Sequence, residues 1–135
     1  MEYLVVDTRS AVPLYVQILD QIRGRAGDGA LPPGTPLPSV RQLASDLSIN
    51  PNTVAKAYMF LEREGIIHTV RRRGTFVSDM ARTKAREIAD QRLGEALDRV
   101  LQEAAAFGMD QKQLLDAMKQ RLRREDPRKR PSGGM

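Results

Sequence analysis

Residues 37–77 read LPSVRQLASDLSINPNTVAKAYMFLEREGIIHTVRRRGTFV, two amphipathic segments joined by a tight turn and followed by a basic hairpin pattern. In the first segment Val40, Leu43, Ala44 and Leu47 fall at the i, i+3, i+4, i+7 spacing that gathers them on one helix face. Ser39 with Gln42 forms a capping-box pattern, so this helix starts at Val40. The second segment has Asn50 as N-cap, Pro51 at the first helical position, where no amide is needed, and Val54, Ala57, Tyr58 and Leu61 facing inward. Gly65 stops it. Only Ser48 and Ile49 separate the first helix from the cap of the second, and so short a turn forces a steep crossing with Ile49 as its plug. After Gly65 the pattern changes: residues 66–70 and 75–77 are rich in β-branched side chains and flank the loop 71–74. The expectation is a mostly α fold with a small β-hairpin wing, a winged helix-turn-helix.

The outward face of the second helix suggests what the fold does. Asn52, Thr53 and Lys56 sit in its first two turns, where the positive end of the helix dipole points, and their side chains suit DNA base edges and phosphates. Arg71, Arg72 and Arg73 concentrate charge at the hairpin tip. One reading is a solvated turn that protects a sheet edge; three consecutive arginines beside a candidate recognition helix favour contact with phosphate or the minor groove. His68, the only histidine, has no acidic neighbour at ligand spacing and reads as an ordinary strand residue.

The run LPSVRQLASDLSINPNTVAKAYMFLEREGII followed by RRRGTFV resembles the DNA-binding domain of the GntR family of bacterial transcription regulators, over about residues 11–78. NPNTVAKAY, and the shortness of the chain beyond the wing, resemble the family's YtrA-type subfamily. The resemblance implies a winged helix-turn-helix in which Arg41, Thr53 and Gly74 match the family's functional positions. With Ser39 and Asn50 at the two helix starts, and Asn52, Lys56, Arg71, Arg72 and Arg73, they make the candidate DNA-binding set. The family wing usually carries a second glycine where this chain has Arg72, which leaves the hairpin turn open. The resemblance further implies a homodimeric repressor on an inverted-repeat operator in double-stranded DNA, of a type that commonly controls transporter operons. It also leaves room for an unidentified small-molecule effector.

Composition fits a single modest core with an appendage: 135 residues, 29% charged, with a mean hydropathy of -0.45. No apolar run approaches the roughly 18 residues of a spanning helix, and the start MEYLVVDTRS lacks the basic and long apolar parts of a secretory signal, so a cytoplasmic, nucleoid-associated protein with no membrane partner is expected. Zero cysteines exclude disulfides and thiolate metal sites. The net charge of +5 is spread thinly: residues 1–78 hold nine basic against seven acidic side chains, residues 79–135 thirteen against ten. The electrostatic case for DNA therefore rests on local clusters. Upstream, residues 2–7 could pair as a strand or pack as an arm. Residues 10–23 read as a helix with Tyr15, Ile18, Leu19 and Ile22 inward and Pro13 in its first turn, and Gly24, Gly27 and Gly29 weaken helix past about residue 26. The proline-rich stretch 31–38 reads as an extended connector, which the resemblance makes a short strand beside the wing.

From residue 79 a helical stripe of Ala85, Ala89, Leu93, Ala96, Leu97, Val100, Leu101 and Ala104 runs toward Phe107. Gly108 ends it, and Asp110 caps a second helix with Leu114, Leu115, Met118 and Leu122 on one side. An antiparallel pair of helices cannot enclose a core alone. Packing back on the winged domain is one solution; a two-fold dimer through Leu93, Leu97, Val100, Leu101, Leu114, Leu115, Met118 and Leu122 is the favoured one. The expected organisation is thus a DNA-binding domain over 1–78, a helical dimerisation segment over 79–126 and a disordered basic tail over 127–135. No catalytic constellation, metal cluster or cofactor motif stands out, and the chain reads as a non-enzyme. The alternative to a sequence-specific regulator is a winged helix used for protein contacts or non-specific DNA packaging.

Overall fold

The computed structural model describes residues 4–125; the tail expected from residue 127 lies outside them. Before the first helix the chain runs as an arm. Leu4 is buried in the core, and the backbone is held by two glutamine side chains. Val5 N–H donates to Gln21 Oε1 at 3.1 Å while Gln21 Nε2 donates to the Val5 carbonyl at 2.7 Å, and Gln17 pairs with both backbone groups of Asp7 in the same way. These amides replace a neighbouring strand.

Helix α1 spans Leu14–Gly27 and begins later than residue 10. Pro13 takes the N-cap with φ -54° and ψ 144°, and the residue before a proline is pushed out of the helical region, so the helix cannot extend upstream. At its far end it continues through Gly24 because Arg23 and Ala26 are buried and anchor the last turn. Arg23 Nε donates to Glu64 Oε1 at 2.7 Å, its Nη2 to Glu64 Oε2, and its Nη1 to Asp20 at 3.0 Å. Burial pulls the Arg23 pKa down, but the hydrogen bond and charge of Glu64, helped by Asp20, outweigh it and the net shift is upward. The charged guanidinium ties the end of α1 to the end of the third helix through this ion pair.

Helices α2 (Val40–Leu47) and α3 (Pro51–Arg63) begin where their caps place them. Ser39 Oγ accepts from Gln42 N–H at 3.1 Å, and Asn50 Oδ1 accepts from Asn52 N–H at 2.8 Å. The reciprocal half of the capping box is missing: Gln42 Nε2 turns along the helix to Asp46 at 2.8 Å. Both helices end in the same way. Ser48 (φ 54°) and Gly65 (φ 79°) adopt left-handed backbone. The next amides, Ile49 and Ile66, then reach back to the Ala44 and Leu61 carbonyls at 3.0 Å each. That turn delivers Ile49 against the core.

Three short strands complete the wing: β1 (Pro36–Leu37), β2 (Ile67–Val70) and β3 (Gly74–Val77), antiparallel in the order β1-β3-β2. Leu37 faces Thr75, and β2 pairs with β3 from Ile67↔Val77 to Val70↔Gly74. Of the proline-rich connector 31–38 only Pro36–Leu37 become strand, with Pro36 tolerated because β1 is an edge; upstream of them the chain is a turn and not extended, Thr35 N–H bonding to the Pro32 carbonyl at 3.1 Å around Gly34 at φ 82°. Ile18, Ile22, Leu43, Val54, Leu61, Ile66 and Val77 form the fully buried centre, and Tyr58 Oη donates to the Pro38 carbonyl at 2.7 Å.

Helix α4 spans Ala81–Ala106, and the division between two compact units falls inside it, after Asp90. Ala81 and Ala85 are buried in the same core as Val77 and Ala26, with Ile88 packed against it, and the Ala85 methyl lies 3.6 Å from where a side chain on Gly27 would begin. The winged unit is therefore not closed at Ser78; a free face there is covered by the first turns of α4.

In the second unit α4 ends at another left-handed glycine, Gly108 (φ 71°), with Met109 N–H bonded to the Ala104 carbonyl at 2.9 Å. Helix α5 (Gln111–Glu125) opens with a complete capping box: Gln113 N–H donates to Asp110 Oδ1 at 2.8 Å and Asp110 N–H to Gln113 Oε1 at 2.9 Å. The two helices are not packed along their lengths, and no residue of α5 is buried. Leu93, Leu97, Val100, Leu101, Phe107, Leu115, Met118 and Leu122 are all exposed in the single chain. No helix among the described residues is long and apolar enough to cross a membrane.

Candidate nucleic-acid interface

The head of α3 is built from its cap outward. Asn50 spends its side-chain oxygen on Asn52 N–H, and Pro51 needs no amide partner, so the first turn is fixed without drawing on the side chains of Asn52 or Thr53. Asn52 is exposed and Thr53 half-buried, and among the described residues neither side chain has a hydrogen-bond partner. A polar amide and a hydroxyl held on a rigid helix start, with nothing inside the protein to satisfy them, can meet an external donor–acceptor pattern.

One cation, Lys56, lines the same groove as this head, and a second, Arg41, stands at the start of α2. Arg41 is exposed in the first turn of α2, where a positive charge opposes the helix dipole, a placement that folding does not favour. Neither α2 nor α3 carries an acidic residue in its first turn, and among the described residues Arg41 forms no ion pair. Lys56 is exposed one turn along α3, with its ammonium 4.1 Å from the centroid of the Tyr15 ring on α1. Ser39 is committed to capping α2, although its hydroxyl proton remains available.

The three arginines occupy the wing tip, all exposed. Arg73 N–H bonds to the Val70 carbonyl at 2.9 Å, closing a four-residue turn in which Arg72 has φ 67°. A positive φ at the third position alone is the type II pattern, which normally takes glycine. The turn left open by the missing second glycine is thus settled: an arginine adopts the glycine conformation, and Gly74 (φ 114°) returns the chain to β3. His68, on β2, is exposed with its ring 6.1 Å from Phe76.

The structure brings Asn52, Thr53 and Lys56 together on the head of α3. The sequence pattern placed Tyr15 only as a core residue; it is half-buried, stacked on Phe60 at 5.8 Å, and lies under Lys56. The signal was hidden because α1 periodicity cannot show which α3 side chain lies above its ring. A shallow groove lined by Pro13, Leu14, Tyr15, Asn52, Thr53 and Lys56 opens beside it. Among the described residues no group of three acidic or histidine side chains is arranged to hold a metal.

Residues 14–77 match the model of the family described as "Bacterial regulatory proteins, gntR family". The chain is 42% identical over 115 residues, 85% of its length and 88% of the relative's, to the HTH-type transcriptional repressor YtrA of Bacillus subtilis (strain 168). The chain belongs to the GntR family. Among solved structures, this GntR-family chain superposes on a transcriptional regulator from Oenococcus oeni with a TM-score of 0.71 and 30% identity, covering 89% of this chain and 99% of that one. It is similar over 87% of its length, and 94% of the other chain, to YtrA from Sulfolobus acidocaldarius, at 31% identity and a TM-score of 0.50. It is a transcription regulator of the YtrA type, and the residues that match the family model lie in the winged unit.

Proposed function

We propose that this GntR-family regulator acts in the cytoplasm as a homodimeric repressor that reads an inverted-repeat operator. The observation that carries the reading is the head of α3, where unpartnered Asn52 and Thr53 side chains lie beside the exposed cation Lys56. In this reading Asn52 and Thr53 touch base edges in the major groove, Lys56 and Arg41 take phosphates, and Arg71, Arg72 and Arg73 reach the backbone or minor groove beside it. Two copies joined through the exposed stripes of α4 and α5 set two recognition helices about one helical turn apart, roughly 34 Å. Occupancy of that site excludes the polymerase. Control of a transporter operon rests on the resemblance to YtrA-type regulators alone.

The test is selection of binding sites from a randomised duplex pool with the full-length chain, and then footprinting of the enriched sequence. The expected result is one palindromic motif with a single protected block. Uniform, weak protection without an enriched motif overturns it in favour of a packaging or protein-contact module.

A further inference from the structure

We propose that Tyr15 is a positioning residue for DNA binding, its ring holding the Lys56 ammonium where a backbone phosphate is to be met. The inference rests on the assignment of Lys56 to a phosphate made above. A lysine on an exposed helix face samples many rotamers, and confining it on binding costs entropy. Here the confinement exists before DNA arrives. The Lys56 ammonium lies 4.1 Å from the Tyr15 centroid, well inside the range over which a ring face attracts a cation.

The ring is itself fixed. Tyr15 is half-buried on α1 and stacks on Phe60 of α3 at 5.8 Å and 20°, so one helix supplies the ring and the other both its clamp and its cation. Among the described residues Lys56 forms no ion pair with a carboxylate. Its charge is steered by the ring without being neutralised, and its remaining N–H groups stay free for an anion. Lys56 and Tyr15 share one shallow groove with Pro13, Leu14, Asn52 and Thr53, so the phosphate contact and the side chains assigned above to base edges line the same surface.

The probe is the duplex enriched by the full-length chain, with affinity measured across a salt series and melting temperature alongside. Lys56→Ala comes first and should lower the log–log salt slope by about 0.9. An unchanged slope removes Lys56 from the interface, and this proposal with it. Given that drop, Tyr15→Leu should weaken binding about two- to fivefold, Tyr15→Phe should retain it, and Tyr15→Leu in the Lys56→Ala background should add nothing. Should Tyr15→Leu fold poorly, progressive ring fluorination of the Tyr15→Phe variant keeps the shape and drains charge from the ring face. Affinity should then fall stepwise at constant melting temperature. Equal losses from Tyr15→Leu in both backgrounds, or a flat fluorination series, make Tyr15 a packing residue and overturn the proposal while leaving Lys56 in its place.

Discussion

Asn52 and Thr53 differ from Arg41 and Lys56 in what each can distinguish. An amide or hydroxyl aligned on a base edge discriminates between bases, whereas a cation on a phosphate does not. Asn52→Ala or Thr53→Ala should therefore relax base preference in a randomised-site selection, each base-edge hydrogen bond being worth about 1–3 kcal/mol. Arg41→Ala should weaken all duplexes alike. An unchanged preference profile for both α3 variants would remove them from base reading. Arg72 offers a different residue-scale test, because its φ of 67° is one that a side chain opposes by roughly 1–2 kcal/mol. Arg72→Gly should raise the melting temperature while weakening DNA binding through the missing charge. A lower melting temperature would show that the Arg72 side chain stabilises the turn by contacts worth more than its backbone strain.

At the scale of elements, α2 and α3 were legible in the sequence because each announces its own start and its own buried stripe through local chemistry. The Ser39 and Asn50 caps and the Val54, Ala57, Tyr58, Leu61 face all appear as expected. What was not legible depended on choices between nearby partners. Gln42 prefers Asp46 to the cap, and Pro13 starts α1 after residue 10 by acting on Val12 before it. The left-handed turns at Ser48 and Arg72 were hidden because neither carries the glycine that normally signals such backbone. The wing was readable as a hairpin, and its three arginines are exposed as a set. Replacing Arg71, Arg72 and Arg73 together with alanine should reduce the salt slope of binding by about 0.9 for every phosphate the tip neutralises. An unaltered slope would leave the tip with only a solvating role.

For the whole molecule, the part of α4 that completes the winged core decides where the chain can be cut. A fragment ending at Asp90 keeps Ala81, Ala85 and Ile88 on that core and should fold as a monomer. One ending at Ser78 uncovers the face and should lose about 2–4 kcal/mol, read as a lower melting temperature. Both fragments should hold a half-site weakly, because joining two readers raises avidity by about 10²–10⁴. In the full chain Leu97→Asp or Leu115→Asp should split the proposed dimer by placing a carboxylate in its seam. Sedimentation is the check: a full chain that is already monomeric, or an Asp90 fragment that still dimerises, would sink the assignment. The apolar stripe was plain in the sequence, but which of its residues belong to which unit was not, since periodicity marks a face and not its neighbour. Because a single continuous helix passes from a packed segment to one whose large apolar side chains lie in water, α4 carries its own internal clock. Its amide protons before Asp90 should exchange with deuterium slowly at any protein concentration. Those around Leu97 and Leu101 should slow only as concentration rises, so the ratio of the two rates along one helix reports the fraction assembled without any label.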